Sequence, residues 1–243
     1  MAMADKILLY DIPSKDDGCS CWSLNTWKIR LALNYKGIDY ETQWVEYPDI
    51  EPLLKPLGLE PQQDQIKPYT LPAIRTPDGQ HFMNSRVIIA ELERRYPELP
   101  LYPDNPITKK AHAVTGPVLG TLWGVILPQI HRKVLNTASA GYFWDTRKEV
   151  FGMSLDTLEA AQGGSQAWER SKPKFEKVAE ALRETDGPFF LGTTVSFADF
   201  ILVGFLHFLK RAAGDEEFRR VEEWPEIVAL YQACAEWLQR DSY

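Results

Sequence analysis

The sequence has little of what several classes of protein require. Its 243 residues include three cysteines, too few for a disulfide framework, and their odd number leaves at least one thiol free. Basic residues form no long run and the net charge is −7, whereas a surface that binds nucleic acid needs clustered cations. We therefore expect no nucleic acid among its partners.

Long hydrophobic runs are also scarce. The most apolar stretch, residues 197–209, contains Asp199 and His207 and is shorter than the roughly 20 residues of a membrane span. Residues 1–6 are short of apolar side chains and do not resemble a signal peptide. The sequence thus predicts a cytoplasmic protein without a membrane span.

The first hundred residues alternate between strand-like and helix-like patterns. Short apolar runs bounded by turn residues predict strands, and apolar residues at helical spacing predict helices. The predicted strands are residues 7–10, 40–45, 71–74 and 81–83, and the predicted helices are residues 23–35, 50–57 and 85–96. This β-α-β-α-β-β-α order predicts an α/β domain over residues 1–98.

Closely spaced prolines follow this domain. Residues 99–108 are predicted to be a linker because prolines cannot continue a helix, and strand-like alternation disappears after them. The prolines in and just before the linker are Pro97, Pro100, Pro103 and Pro106. Helical patterns then cover residues 109–135 (with a kink expected at Pro128), 168–184, 196–213 and 225–240. Residues 109–243 are therefore predicted to form an all-helical domain.

Residues 18–30 lie between the first strand and the first helix and include two cysteines and a serine. The N-terminus of a helix stabilises anions, thiolates included, and Ser23 stands where the helical pattern begins. Its hydroxyl is either a donor to a bound thiolate or a plain helix N-cap, and the segment alone leaves both open. Cys19 and Cys21 form C-x-C rather than the C-x-x-C of redox pairs, although Cys21 could still be a regulatory thiol. The four histidines lack zinc-like spacing, so no metal is expected.

Two further motifs are candidates for binding. A cis bond between Leu71 and Pro72 would turn the backbone of Leu71 toward solvent, free to pair with an extended peptide. Asn84 and Ser85 begin a predicted helix, where they either hold a carboxylate or serve as caps. Ser196-x-x-Asp199 is a capping box, which we interpret as structural.

The order and spacing of these motifs resemble those of cytosolic glutathione transferases. The stretch from Ser23 to Arg30 looks closest to the fungal serine-type transferases related to the omega class, the etherase-like FuA group, in which serine stands in place of the catalytic cysteine. The resemblance covers nearly the whole chain. It implies a thioredoxin-like domain followed by an all-helical one, glutathione as co-substrate without a metal, and a homodimer.

The resemblance also implies roles for individual residues. Ser23 would hydrogen-bond the glutathione sulfur, with Asn25 as second donor. Leu71, ahead of a cis Pro72, would pair with the cysteinyl unit. The remaining assignments are Asn84 and Ser85 for the γ-glutamyl group, Lys55 for the glycyl carboxylate, and Trp22, Trp123 and Leu127 for the electrophile pocket.

Two departures from the family pattern stand out. Asn84 replaces the acidic residue that relatives usually carry, which removes a charge partner for the glutathione amine. Leu24 replaces the proline that often follows the catalytic residue.

The expected chemistry is attack of glutathione thiolate on a hydrophobic aromatic electrophile, with aryl-ether, thioester and peroxide reactions as variants. One alternative is a ligandin that binds polyphenols or other aromatic compounds with weak turnover. A second alternative is an omega-like thiol transferase that uses Cys21.

Overall fold

A mixed four-stranded sheet forms the centre of the first domain. The computed structural model describes residues 6–17, 19–63 and 67–242, and the sheet order is β2-β1-β3-β4. Strand β1 pairs in parallel with β2, and the pairs β1–β3 and β3–β4 are antiparallel. The strands are β1 (Ile7–Asp11), β2 (Tyr40–Trp44), β3 (Ala73–Arg75) and β4 (His81–Met83).

Three helices complete this domain and confirm the predicted β-α-β-α-β-β-α order. Their bounds are α1 (Leu24–Tyr35), α2 (Ile50–Leu54) and α3 (Ser85–Arg95). A 3₁₀ turn, Lys55–Leu57, extends α2 until Gly58 ends it in the left-handed conformation, at φ +74°. Gly18 and residues 1–5, parts of predicted segments, lie outside the described residues.

The second domain is helical, as predicted, and closes with short helical turns. Its helices are α4 (Pro106–Gln129), α5 (Thr137–Phe151), α6 (Leu155–Gln162), α7 (Gly164–Leu182), α8 (Phe197–Ala213), α9 (Asp215–Phe218) and α10 (Pro225–Ala233). After Pro128 the backbone of α4 passes into a π-helical segment, Ile130–Val134. Helix α4 begins inside the predicted linker because Pro106 occupies its first turn, where proline loses no helical hydrogen bond. Helices α5 and α6 occupy a segment that the sequence pattern left unassigned.

Helices α4 and α8 form the core of the second domain. Nearly every residue of α8 is buried, and its capping box is present: the Asp199 carboxylate accepts hydrogen bonds from the Ser196 N–H at 2.7 Å and from the Ser196 hydroxyl at 2.9 Å. The described helical segment from Pro106 to Val134 is long and apolar enough to cross a membrane by length and composition. Half of its apolar window is buried inside the protein, and α4 packs against α6, α7 and α8, as a core helix does.

The two domains are joined along α1 and α8. Gly204 of α8 lies so close to α1 that an added Cβ would stand 3.1 Å from the carbonyl oxygen of Leu24. The C-terminal segment also returns to the first domain, where the Cys21 N–H donates to the Asp241 carbonyl at 2.8 Å and the Asn34 amide donates to the Trp237 carbonyl at 2.7 Å. These contacts fix α1, and with it the start of the candidate site, against the helical domain.

Candidate active site

A cavity of about 590 Å³ opens between the first domain and α5. Four of the residues predicted from the sequence lie on it, namely Ser23, Asn25, Lys55 and Leu71. They come from the start of α1, from the turn after α2 and from the segment before β3. The fold therefore brings together residues that are almost 50 positions apart in the sequence.

Ser23 is the residue just before α1, and its carbonyl accepts a hydrogen bond from the Trp27 N–H at 2.9 Å. Its hydroxyl caps no backbone N–H of the helix. Among the described residues it makes no side-chain hydrogen bond, and it is only half-buried. Ser23 thus occupies the N-cap position without capping the helix through its side chain, and its hydroxyl is available to a ligand.

Cys21, the alternative to Ser23, is fully buried. Burial raises the pKa of its thiol well above the usual range, and the neighbouring Asp11 carboxylate raises it further. A thiol in this state is neutral and inaccessible, whereas reactive cysteines are accessible thiolates. Cys19 is partly exposed, but burial and nearby acidic groups raise its pKa as well.

Below this loop, α1 is anchored to the sheet by a buried ion pair. The Arg30 guanidinium donates to the Asp11 carboxylate at 3.0 Å and to the Thr42 hydroxyl at 3.1 Å, and neither charged side chain is exposed. Nearby charged and polar groups, Asp11 among them, outweigh the effect of burial and raise the pKa of Arg30. The pair ties the middle of α1 to the end of β1, and the next residue after β1, Ile12, lies on the cavity wall.

The Leu71–Pro72 peptide bond is cis, as the family resemblance implied. Leu71 lies on the cavity wall. Outside the strands, the backbone hydrogen bonds between described residues include none to Leu71. Its N–H and C=O are thus available to an extended ligand.

Asn84 and Ser85 lie beyond the residues that line the cavity. Asn84 has φ +80°; its side-chain oxygen accepts from the Arg86 N–H at 2.9 Å, and its amide donates to the Gln62 side chain at 2.8 Å. The capping interpretation of Asn84 is therefore confirmed. Its N–H donates to the Pro72 carbonyl at 3.2 Å, so it stays next to the Leu71–Pro72 bond.

A second cavity of about 440 Å³ adjoins the first. Ser23, Asn25, Tyr47 and two cationic residues line both cavities. Its remaining wall is mostly apolar and includes all three residues predicted for the electrophile pocket, Trp22, Trp123 and Leu127. The arrangement can hold a polar ligand in one cavity and an apolar one in the other, with Ser23 between them.

Sequence reasoning missed the contributions of α5, of the turn after β2 and of the segment before β3. Four residues of this group, absent from our predicted site, are Tyr47, Lys67, Tyr142 and Arg147. Phe143, Thr146, Arg147 and Val150 recur at helical spacing along α5 and face the second cavity. This i, i+3, i+4, i+7 spacing is the sequence pattern that could have identified the cavity face of α5. Because two of the four residues are polar, the pattern does not have the apolar periodicity by which amphipathic helices are recognised.

Within the described ranges, no group of three or more histidine, cysteine, aspartate or glutamate side chains could hold a metal ion.

Comparison with known proteins places the chain in a family. The family model for the glutathione S-transferase N-terminal domain matches residues 22–95, and that for the C-terminal domain matches residues 111–237. The glutathione S-transferase-like protein ustS of Aspergillus flavus is 34% identical over 257 residues, which cover 95% of this chain and 90% of that protein.

Solved structures agree with this placement. A glutathione S-transferase of Ceriporiopsis subvermispora, crystallised in complex with glutathione, superposes with a TM-score of 0.86 at 32% identity, covering 96% of this chain and 98% of that one. Glutathione transferase GSTFuA2 of Phanerochaete chrysosporium gives a TM-score of 0.86 at 30% identity, with 97% and 99% covered. The resemblance inferred from the motifs is thereby confirmed, and the chain belongs to the glutathione transferase family.

Proposed function

We propose that this protein is a serine-type glutathione transferase, in which the Ser23 hydroxyl donates a hydrogen bond to the glutathione thiolate. The observation that carries the proposal is the position of that hydroxyl, which makes no hydrogen bond to any residue that the structure describes and stands where the two cavities meet. Backbone N–H groups at the start of α1 add a favourable field for an anion. Asn25, also on both cavities, is the second donor.

Glutathione would occupy the first cavity. Leu71, whose backbone is unpaired among the described residues, would pair with the cysteinyl unit. Lys55 is exposed and makes one long ion pair, 3.8 Å to Glu51, so its ammonium can reach the glycyl carboxylate. Asn84 and Ser85, at the start of α3, are assigned to the γ-glutamyl group. The crystallised relative of Ceriporiopsis subvermispora holds glutathione, which supports the same ligand here.

An aromatic electrophile would occupy the second cavity, whose wall is mainly apolar and includes several aromatic rings. The thiolate sulfur attacks the electrophilic carbon, the new S–C bond forms, and the leaving group departs with the electron pair of its own bond. The protein contributes proximity and stabilisation of the thiolate. Aryl ethers, thioesters and peroxides are further substrate types that this arrangement admits.

We also propose a cytoplasmic homodimer with a role in detoxification. Val87 of α3, which is half exposed, supports the dimer alone, because the family resemblance assigns α3 to the dimer contact. In that arrangement the β3–β4 hairpin and α3 meet α4 of the partner.

Ser23→Ala tests the proposal. Glutathione is titrated into the wild type and the variant by calorimetry, and conjugation is followed with a generic aryl halide. We expect binding to be retained and kcat/KM to fall by about 10²-fold or more, which equals about 2.7 kcal/mol of transition-state stabilisation. Cys21→Ala is the matched control and is expected to keep its turnover, because the buried Cys21 thiol reaches neither ligand.

Three outcomes would contradict the proposal in different ways. Loss of activity in Cys21→Ala but not in Ser23→Ala would favour the cysteine-dependent thiol transferase. Glutathione binding without any turnover would favour the ligandin, for which the aromatic wall of the second cavity is the supporting observation. Absence of glutathione binding would show that the fold was kept without the activity.

A further inference from the structure

Two cations stand on the walls of both cavities. Arg147 comes from α5, and Lys67 comes from the segment before β3; both are half-buried. The rest of the second cavity wall consists mainly of apolar and aromatic side chains. Positive charge is therefore concentrated at one side of an otherwise apolar cavity.

Aromatic faces, rather than carboxylates, hold these two cations in place. The Arg147 guanidinium carbon lies 4.4 Å from the centre of the Phe143 ring and 5.7 Å from that of Tyr47. The Lys67 ammonium lies 5.7 Å from the centre of the Tyr142 ring, which stacks on Tyr47 with 6.0 Å between centroids. A cation–π contact positions a charge without neutralising it.

In the part of the chain that the structure describes, neither cation forms an ion pair. Glu51 is the single acidic residue among the described ones that line either cavity, and it belongs to the first cavity, where it lies 3.8 Å from Lys55. Within those ranges the Arg147 guanidinium donates to the Thr146 hydroxyl at 3.1 Å and also hydrogen-bonds the Tyr47 side chain. Both partners are uncharged hydroxyls, so the positive charge of Arg147 is left for an anionic ligand.

A half-buried cation without a counter-ion carries a desolvation penalty that an anionic ligand removes. A planar guanidinium also matches the two oxygens of a carboxylate. We propose, on the basis of the proposed transferase function, that the electrophile taken by the second cavity is an aromatic compound bearing a carboxylate. Arg147 binds that carboxylate and Lys67 supports it, while the ring packs against the aromatic wall near Ser23.

The test uses two electrophiles that differ in charge alone. 4-(Isothiocyanatomethyl)benzoate and its carboxamide carry the isothiocyanate group on a methylene, which insulates the reacting N=C=S carbon from the ring substituent. The glutathione sulfur bonds to that carbon, the nitrogen takes up a proton, and no group leaves. The measured quantity is the ratio of kcat/KM for the carboxylate to kcat/KM for the carboxamide, in the wild type, Arg147→Gln and Lys67→Gln.

We expect the wild type to favour the carboxylate by tenfold or more, and Arg147→Gln to remove most of that preference, with a smaller loss in Lys67→Gln. The matched control is Lys148→Gln, which removes an exposed cation from the next position of α5, outside both cavities. Its ratio is expected to equal that of the wild type. A wild-type ratio near one, or an equal fall in the Lys148 variant, would overturn the inference.

A binding experiment separates this inference from the proposed transferase function. The probes are S-(4-carboxybenzyl)glutathione and its carboxamide, titrated by calorimetry into the same four proteins. Tighter binding of the carboxylate that depends on Arg147 supports the inference even when neither isothiocyanate is turned over, a result that would overturn the transferase function alone. An Arg147 effect of equal size on both probes and on glutathione itself would mean that Arg147 holds glutathione, and would overturn the inference.

Discussion

The two walls of the cleft are built in different ways. The wall from the first domain combines the backbone at the start of α1 and beside the cis Leu71–Pro72 bond with polar side chains, Ser23 and Lys55 among them. The wall from the helical domain presents side chains spaced along α5, with a cation among aromatic rings. Backbone groups suit glutathione, which is the same in every reaction. The side chains of the helical wall determine which second ligand is accepted.

The supports beneath the two walls differ as well. A buried ion pair, Asp11–Arg30, fixes α1 against the sheet. In the helical domain the support is close packing, since Gly124 of α4 lies against the backbone at the end of α6. Removing each support should therefore affect a different ligand.

Arg30→Met removes the ion pair that supports the first wall and is expected to have the largest effect on stability. It leaves the buried Asp11 carboxylate without its partner, which costs about 3–5 kcal/mol of the free energy of unfolding. Because Ile12, the residue after Asp11, lies on the cavity wall, the affinity for glutathione should fall too. Urea denaturation and calorimetric titration of glutathione measure the two effects.

The matched control is Arg132→Gln, which breaks partly exposed ion pairs to Asp156 at 2.8 Å and Glu159 at 2.6 Å. Exposed pairs contribute at most about 1 kcal/mol each. Equal destabilisation by the two variants would show that the Asp11–Arg30 pair is not a special support of the first wall.

Gly124→Ala disturbs the packing that supports the second wall and is expected to have an intermediate effect on stability. The added Cβ would stand 2.6 Å from the backbone carbon of Gln162, so α4 and α6 must move apart at a cost of about 1–3 kcal/mol. Gly124 lies next to Trp123 of the second cavity. We expect KM for the electrophile to change more than the dissociation constant of glutathione.

Gly120→Ala, one turn earlier in α4, serves as the control because an added Cβ there meets no atom within 4 Å. It should stabilise the helix by up to about 1 kcal/mol, since alanine is the better helix former. If Gly124→Ala left stability unchanged, or altered the affinity for glutathione more than KM for the electrophile, the assignment of one ligand to each wall would be wrong.

The first wall could be predicted from the sequence because the order and spacing of its motifs resemble those of glutathione transferases, although each motif alone left a plain structural role open. Ser23, Leu71 and Pro72 are recognised by their positions at the start of a helix and of a strand, and the structure places Ser23 and Leu71 on one cavity. The predicted strand at residues 81–83 agrees residue by residue with β4.

The second wall could not be predicted to the same depth. Residues 137–164 gave no clear pattern because α5 faces a cleft, and the positions that line this cleft mix Arg147 and Thr146 with apolar residues. Contacts such as Lys67 against Tyr142 join segments that are far apart in the sequence and share no motif. The start of α4 at Pro106 was missed because proline is excluded from helix interiors but favoured in the first turn.

The most direct test of the central claim is the pKa of the glutathione thiol while it is bound. It is measured from the ultraviolet absorbance of the thiolate, as a difference titration with and without glutathione, in the wild type and in Ser23→Ala. A free thiol has a pKa of about 8.5. The account predicts a bound value at least about one unit lower in the wild type, equal to about 1.4 kcal/mol, and a return toward the free value in Ser23→Ala. An equally lowered pKa in both proteins would contradict the role assigned to Ser23.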